Sequence, residues 1–189
     1  SVTSGRSQPG TLPIEQFGPT GVTVVGQVPD YVPVSNDMLR NPSPEDWLVI
    51  RGNHQAWNHS PLDQINANNV EDLRLAWVWS MSDVVANQGS PLVHDGILYL
   101  FNPGNKIQAF RADTGDLVWE QSLGGRAGTM RGMAIYEDNL IINTPTGGII
   151  AVNAANGEEA WRIQIAADGF INTSGPIVGN GKIFTGLSG

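Results

Sequence analysis

From Gly89 onward the apolar positions fall in short runs, each broken by Asp, Asn or Gly. The pattern recurs three times: GSPLVHDGILYLF from Gly89, GMAIYEDNLIIN from Gly132 and GPIVGNGKIFTG from Gly175. Asp95-Gly96, Glu137-Asp138-Asn139 and Gly179-Asn180-Gly181 stand at the breaks, and paired apolar runs around such residues predict β-hairpins. The three opening glycines are 43 residues apart. A second pattern lies between the hairpins. AFRADTGDLVW (Ala109 to Trp119) returns 42 residues later as AVNAANGEEAW (Ala151 to Trp161), and Trp77 stands 42 residues before Trp119.

One unit therefore reads strand, turn, strand, loop, strand with Ala109 or Ala151, tight turn at Gly115 or Gly157, strand with tryptophan. Four short antiparallel strands at this period predict a blade of a β-propeller, an all-β architecture, because helical repeats of similar length need longer elements with fewer β-branched residues. Tryptophan is large enough to fill the gap between neighbouring blades. The chain holds about two complete four-stranded blades plus two partial ones, around Trp77 and after Gly175. A ring needs about four blades at least, so residues 45–189 are expected to be part of a propeller completed by a further segment or chain.

Residues 1–44 break the pattern. They hold seven of the twelve prolines, from Pro9 to Pro44, together with Phe17, Val22, Val24, Val25, Tyr31 and Val34. Proline fixes φ and removes a donor, so this stretch is expected to be an extended arm wrapped along the folded body. A helical turn is expected at Ser35–Arg40, with a side-chain acceptor in front and Pro42 behind. A second short helix is expected from Ile65 to Leu73 with Asn66 as cap, leading into a fourth strand at Leu75–Trp79.

Composition narrows the class. With 40% hydrophobic and 15% charged residues, the chain has the make-up of a globular protein. A net charge of −8 argues against nucleic acid or anionic membrane as the main partner. There is no cysteine, hence no disulfide or thiolate metal site. No apolar run is long enough for a membrane span, and SVTSGRSQPG lacks the basic and apolar regions of a signal peptide.

Residues from about 35 to 189 resemble the quinoprotein alcohol dehydrogenases, eight-bladed propellers that use pyrroloquinoline quinone (PQQ). The resemblance is carried by NDMLRNPSPEDW, by NHSPLDQINANNVEDLRLAW, by the two tryptophan motifs and by GPIVGNGKIFTGLSG. It implies a cofactor on the propeller axis, at the end where loops 80–88, 122–131 and 163–174 gather with 102–106 and 144–148. It places cofactor contacts at Gln88, where the family usually has Glu, at Arg131 beside the quinone oxygens, and at Thr173 as a hydroxyl donor to a cofactor carboxylate. Ser188 and Gly189 match the start of a strip along the PQQ edge. Gly125-Arg126 stands where well-known members carry a vicinal cysteine pair. No metal ligand falls within the chain. The family's calcium or lanthanide ligands and its catalytic base correspond to positions beyond Gly189.

The resemblance implies the N-terminal part of a periplasmic PQQ-dependent dehydrogenase, acting on an alcohol or similar small molecule and passing electrons to a cytochrome c-type acceptor. The reading from a different class is a non-catalytic propeller scaffold for protein–protein interaction, of the outer-membrane assembly type. His54 and His59 lack an acidic partner in register and are expected to serve loop packing. Trp77 and Trp79 share a face of one strand and are expected to pack between blades.

Overall fold

The computed structural model describes residues 20–81, 87–102, 104–124, 130–167 and 169–189. The hairpins form where the turn residues call for them. Strands β2 (Leu92–His94) and β3 (Ile97–Asn102) are joined by Asp95 and Gly96, both at positive φ (47° and 73°). Two central residues of that conformation match the twist of the flanking strands. Strands β4 (Lys106–Arg111) and β5 (Leu117–Ser122) continue the sheet. The second blade repeats the order with β6 (Ala134–Tyr136), β7 (Asn139–Asn143), β8 (Gly148–Asn153) and β9 (Glu159–Gln164). A third sheet holds only β10 (Ile177–Gly179) and β11 (Lys182–Phe184) among the described residues. All pairings are antiparallel. The sheets are those of a β-propeller.

The tryptophan motif locks one blade to the next. Trp77 Nε1 donates to the Ala112 carbonyl at 3.0 Å, and Trp119 Nε1 donates to the Ala154 carbonyl at 3.0 Å. Each indole also covers the turn glycine of that next blade. A Cβ built on Gly115 would stand 2.6 Å from the Trp77 ring, and one on Gly157 would stand 2.6 Å from the Trp119 ring. Both glycines are at positive φ, 76° and 79°. Ala109 and Ala151 lie directly across the ladder from Trp119 and Trp161, with the same register shift following each alanine. Trp119, caught between two blades, is fully buried, whereas Trp161 keeps 39% of its surface exposed.

The arm adds what the four-strand unit does not contain. Strand β1 (Gly21–Val24) pairs with β5 and makes the first blade five-stranded, in the order β1-β5-β4-β3-β2. Its Thr23 hydroxyl donates to Glu120 Oε1 at 2.7 Å. Beyond it, a Cβ on Gly26 would overlap the Val118 carbonyl oxygen, so only glycine lets the arm lie this close. Val28 N then donates to Ala155 O at 2.7 Å, and Val34 exchanges backbone hydrogen bonds with Glu137. Helix α1 (Asn36–Arg40) follows, capped by Ser35, and Arg40 bonds Asn180 Oδ1. The arm thus crosses all three sheets at their one-to-two and three-to-four strand turns. Antiparallel connectivity puts those turns on one face of the propeller and leaves the other connections on the opposite face. Phe17 and the prolines before Thr20 lie outside the described residues.

Two sequence expectations are corrected. The helix expected from Ile65 to Leu73 is only a 3-10 turn at Val70–Asp72, with no side-chain cap from Asn69. Asn66 Oδ1 instead accepts from Asn68 N at 2.9 Å, a local asparagine turn that competes with helix. Leu75–Trp79, expected as a strand, joins no β-ladder among the described residues. A strand for it to pair with is not among the described residues. Trp77 and Trp79 still pack on Phe110 of the first blade, with ring centroids 6.2 and 4.8 Å away.

These contacts generate two tests on the intact protein. Gly157→Ala must place a side chain at positive φ and displace the Trp119 ring, which should cost roughly 2–5 kcal/mol. Gly96→Ala meets nothing within 4 Å, so it should cost only the backbone part, about 1–2 kcal/mol. Urea midpoints measure the difference, and equal losses would mean the indole contact contributes nothing.

The second test is of pH. Burial alone would raise the Glu120 carboxyl, but hydrogen bonds from Lys106, Thr23 and Gln108 outweigh it and hold the group below the ordinary glutamate range. Its stabilisation is therefore complete above the unfolded pKa of about 4.3 and is lost as pH falls through the lower folded value. The midpoint gap between wild type and Glu120→Gln should be widest near neutrality and close in acid. A gap independent of pH would show that the carboxylate does not tie the arm to the blade.

Candidate functional site

The face opposite the arm is shaped by the three opening glycines. A Cβ on Gly175 would stand 3.1 Å from Gly132 Cα, so the first strands of neighbouring blades begin almost backbone to backbone. Ser90 N also lies 3.4 Å from the carbonyl oxygen of Arg131, in bonding geometry. Residues just before each glycine are drawn together by this convergence. Gln88 and Arg131 are both exposed and line one shallow, open depression, joined there by Arg51 and Asn58.

Arg131 is held rather than free. Its Nη1 donates to Thr173 Oγ1 at 2.5 Å and approaches the Thr173 carbonyl at 3.4 Å. Thr173 is itself fixed from both sides by buried amides. Asn143 Nδ2 donates to Asn172 Oδ1 at 3.0 Å and to the Ser174 carbonyl at 2.6 Å. Asn172 Nδ2 donates to Thr185 Oγ1 at 2.9 Å, and Ser174 Oγ to Asn172 Oδ1 at 3.2 Å. Ser188 exchanges backbone hydrogen bonds with Ile171, two residues before Thr173. Gly189 lies against Phe170, where a Cβ would come within 2.9 Å of the ring.

So the structure brings Gln88 and Arg131 together, with Thr173 bonded to Arg131, and places Ser188 and Gly189 beside the segment leading to Thr173, outside the depression. Gly125-Arg126 lies outside the described residues. Sequence reasoning missed Arg51, Asn58 and the Asn143–Asn172 pair. Arg51 stands in the same RGNHQAWNHS stretch as the two histidines, and a search for cations instead of metal ligands would have found it. His54 Nε2 lies 3.0 Å from the Val178 carbonyl, a packing contact. Among the described residues, no group of three or more His, Asp or Glu could hold a metal ion. No helix among them is long and apolar enough to cross a membrane.

As a donor set, two guanidinium groups and two amides, with no carboxylate among the described residues lining the depression, suit an anionic ligand. Comparison with known proteins gives that chemistry a context. Residues 47–139 match the PQQ profile described as glucose/ethanol/alcohol dehydrogenase, beta-propeller domain. The chain is 29% identical over 172 residues to the quinoprotein alcohol dehydrogenase PedH of Pseudomonas putida, covering 84% of this chain and 29% of that protein. It is 31% identical over 176 residues to methanol dehydrogenase [cytochrome c] subunit 1 of Methylorubrum extorquens, covering 82% of this chain and 28% of that one. The solved structure of quinohemoprotein alcohol dehydrogenase ADHIIG from Pseudomonas putida HK5 superposes with a TM-score of 0.77 at 25% identity, over 84% of this chain and 26% of that chain.

Over most of its length the chain is homologous to the quinoprotein alcohol dehydrogenase family. It spans under a third of the length of these quinoprotein relatives.

The amide network around Thr173 can be tested directly. Asn143→Leu removes the Nδ2 donor of two buried acceptors and should destabilise the protein by about 1–3 kcal/mol. Asn143→Asp tests the same donor without loss of volume and should be destabilised as well. A thermal midpoint unchanged in both variants would mean that Thr173 is positioned by something else.

Proposed function

We propose that this chain is the N-terminal part of a periplasmic PQQ-dependent dehydrogenase that oxidises an alcohol or a similar reduced small molecule. The observation that carries the reading is Arg131, fixed by Thr173 at the axial mouth beside Gln88, in a chain homologous to the quinoprotein family. When bound, PQQ supplies the two-electron acceptor for the CH–OH donor.

The chain's own residues bind and orient. Arg131 would offer fixed positive charge to the oxygens of the bound acceptor, and its bond to Thr173 holds the guanidinium in place beforehand. Thr173 orients that guanidinium and lies within reach of a cofactor carboxylate. Gln88 offers an amide where the family usually has a carboxylate, so hydrogen bonding is kept and a negative charge is lost. Ser188 and Gly189 would stand further out, bordering the cofactor. The calcium or lanthanide ligands and the catalytic base belong to the rest of the protein, as does the docking of the cytochrome c-type acceptor.

Reconstituting the intact protein with PQQ and calcium or a lanthanide should give near-ultraviolet absorbance and alcohol-dependent dye reduction. Arg131→Ala should lower the turnover by about 10²–10³-fold, the usual loss for a preorganised charge-stabilising donor. If the reconstituted wild type neither absorbs nor reduces dye, the enzyme reading falls and a scaffold role takes its place. An unaltered rate in the variant removes Arg131 from the site.

A further inference from the structure

Arg51 reaches the axial mouth by a path that the tryptophan repeat does not set. Trp47 and Val93 exchange both backbone hydrogen bonds, at 2.8 and 3.1 Å, which fixes this segment to the inner edge of the first blade. Gly52 then lies under the Trp47 ring, where a Cβ would come within 3.0 Å. Asn58 N donates to the Arg51 carbonyl at 3.1 Å and closes residues 51–58 into a loop. Within it, Asn53 accepts from Ala56 N on its carbonyl and from Trp57 N on Oδ1. The loop is therefore built, and it brings Arg51 and Asn58 to the depression that Gln88 and Arg131 line.

The charge of that depression is opposite to that of the chain. Eighteen acidic residues face ten basic ones in the sequence, yet among the described residues the depression is lined by two guanidinium groups and no carboxylate. Arg51 forms no ion pair with a described carboxylate. Two like charges facing one opening repel, and an anion between them turns that repulsion into binding. We propose that Arg51 and Arg131 together form a binding site for a carboxylate group, with the Gln88 and Asn58 amides as neutral donors. The carboxylate belongs either to the quinone cofactor or to an acidic substrate, such as a hydroxy acid. The second assignment and the cofactor arm of the test rest on the proposed function, but the site itself does not.

Calorimetry on the intact apoprotein, with benzene-1,3,5-tricarboxylate as the probe, tests the site without PQQ. Arg51→Gln should weaken binding by about tenfold or more, the range for a lost charge-assisted hydrogen bond. Arg51→Lys should recover part of it. Arg111→Gln, which removes an exposed arginine paired with Asp113, should bind as wild type does. Two further measurements find the source of the carboxylate. If Arg51→Gln loses PQQ affinity, measured by fluorescence quenching, the group is the cofactor's. If PQQ affinity holds while the kcat/KM preference for a hydroxy acid over the plain alcohol of equal length falls tenfold, it is the substrate's. Tricarboxylate binding that is absent from wild type, or equal in wild type and Arg51→Gln, overturns the proposal. Binding that depends on Arg51 in a protein that takes up no PQQ keeps this site and removes the quinoprotein function.

Discussion

The contact on which the rest depends is an indole laid over a bare backbone. A four-stranded blade has two faces and cannot bury both by itself, so each must be covered by a neighbour. Trp119 supplies the cover by lying on Gly157 with its N–H on the Ala154 carbonyl, and Trp77 does the same to Gly115 and Ala112. The donor matters because an indole N–H buried without a partner costs free energy, whereas one aimed at a fixed carbonyl selects a single rotation of blade against blade. The glycine matters because any side chain there would occupy the space of the ring.

Fixing that rotation has consequences on both faces. On one, the turns of successive blades come into line, and the arm can run across three sheets using backbone hydrogen bonds to Ala155 and Glu137. Its proline-rich composition suits this, since a segment crossing strands at their ends needs few donors. Glu120 anchors the start of the path, where Thr23 of the arm and Lys106 and Gln108 of the blade all donate to one buried carboxylate. On the other face, the same alignment packs Gly175 against Gly132 and narrows the axial mouth.

What could be read from the sequence was what local chemistry determines. The hairpins and the Ser35 cap each depend on residues a few places apart, and the tryptophan phase on a motif that the chain repeats at a fixed period. The failures are of two kinds. At Ile65 to Leu73 the apolar spacing was read as helix, but Asn66 bonds its own neighbourhood and leaves one 3-10 turn. At Gly21–Val24 and Leu75–Trp79 the outcome turned on a partner far away in the chain. The first meets the free edge of β5 and becomes a strand, while the second meets no third strand among the described residues and does not. The candidate site divides in the same way. Arg131 and Thr173 came from a family resemblance, yet they are 42 residues apart, one blade period, and the repeat itself carries two such positions to the axis side by side. Arg51 belongs to no repeat, and only the Trp47–Val93 pairing reveals where it goes.

A propeller axis is a place where one position is sampled once per blade, so the sign of the site is the sum of what successive blades put there. In the proposed site this chain would contribute an amide at Gln88, a guanidinium at Arg131 and a hydroxyl at Thr173, and the loop outside the repeat would add Arg51. The overall charge of −8 does not oppose this, because screening in physiological salt confines the influence of exposed charges to about 8 Å. An anionic ligand at the mouth is governed by the few groups within that distance. Glutamine at position 88 removes the nearest negative charge that the family's usual residue would bring. The same substitution that departs from the family pattern therefore strengthens the site for an anion. It also makes the two arginines interdependent, since neither pairs with a carboxylate among the described residues.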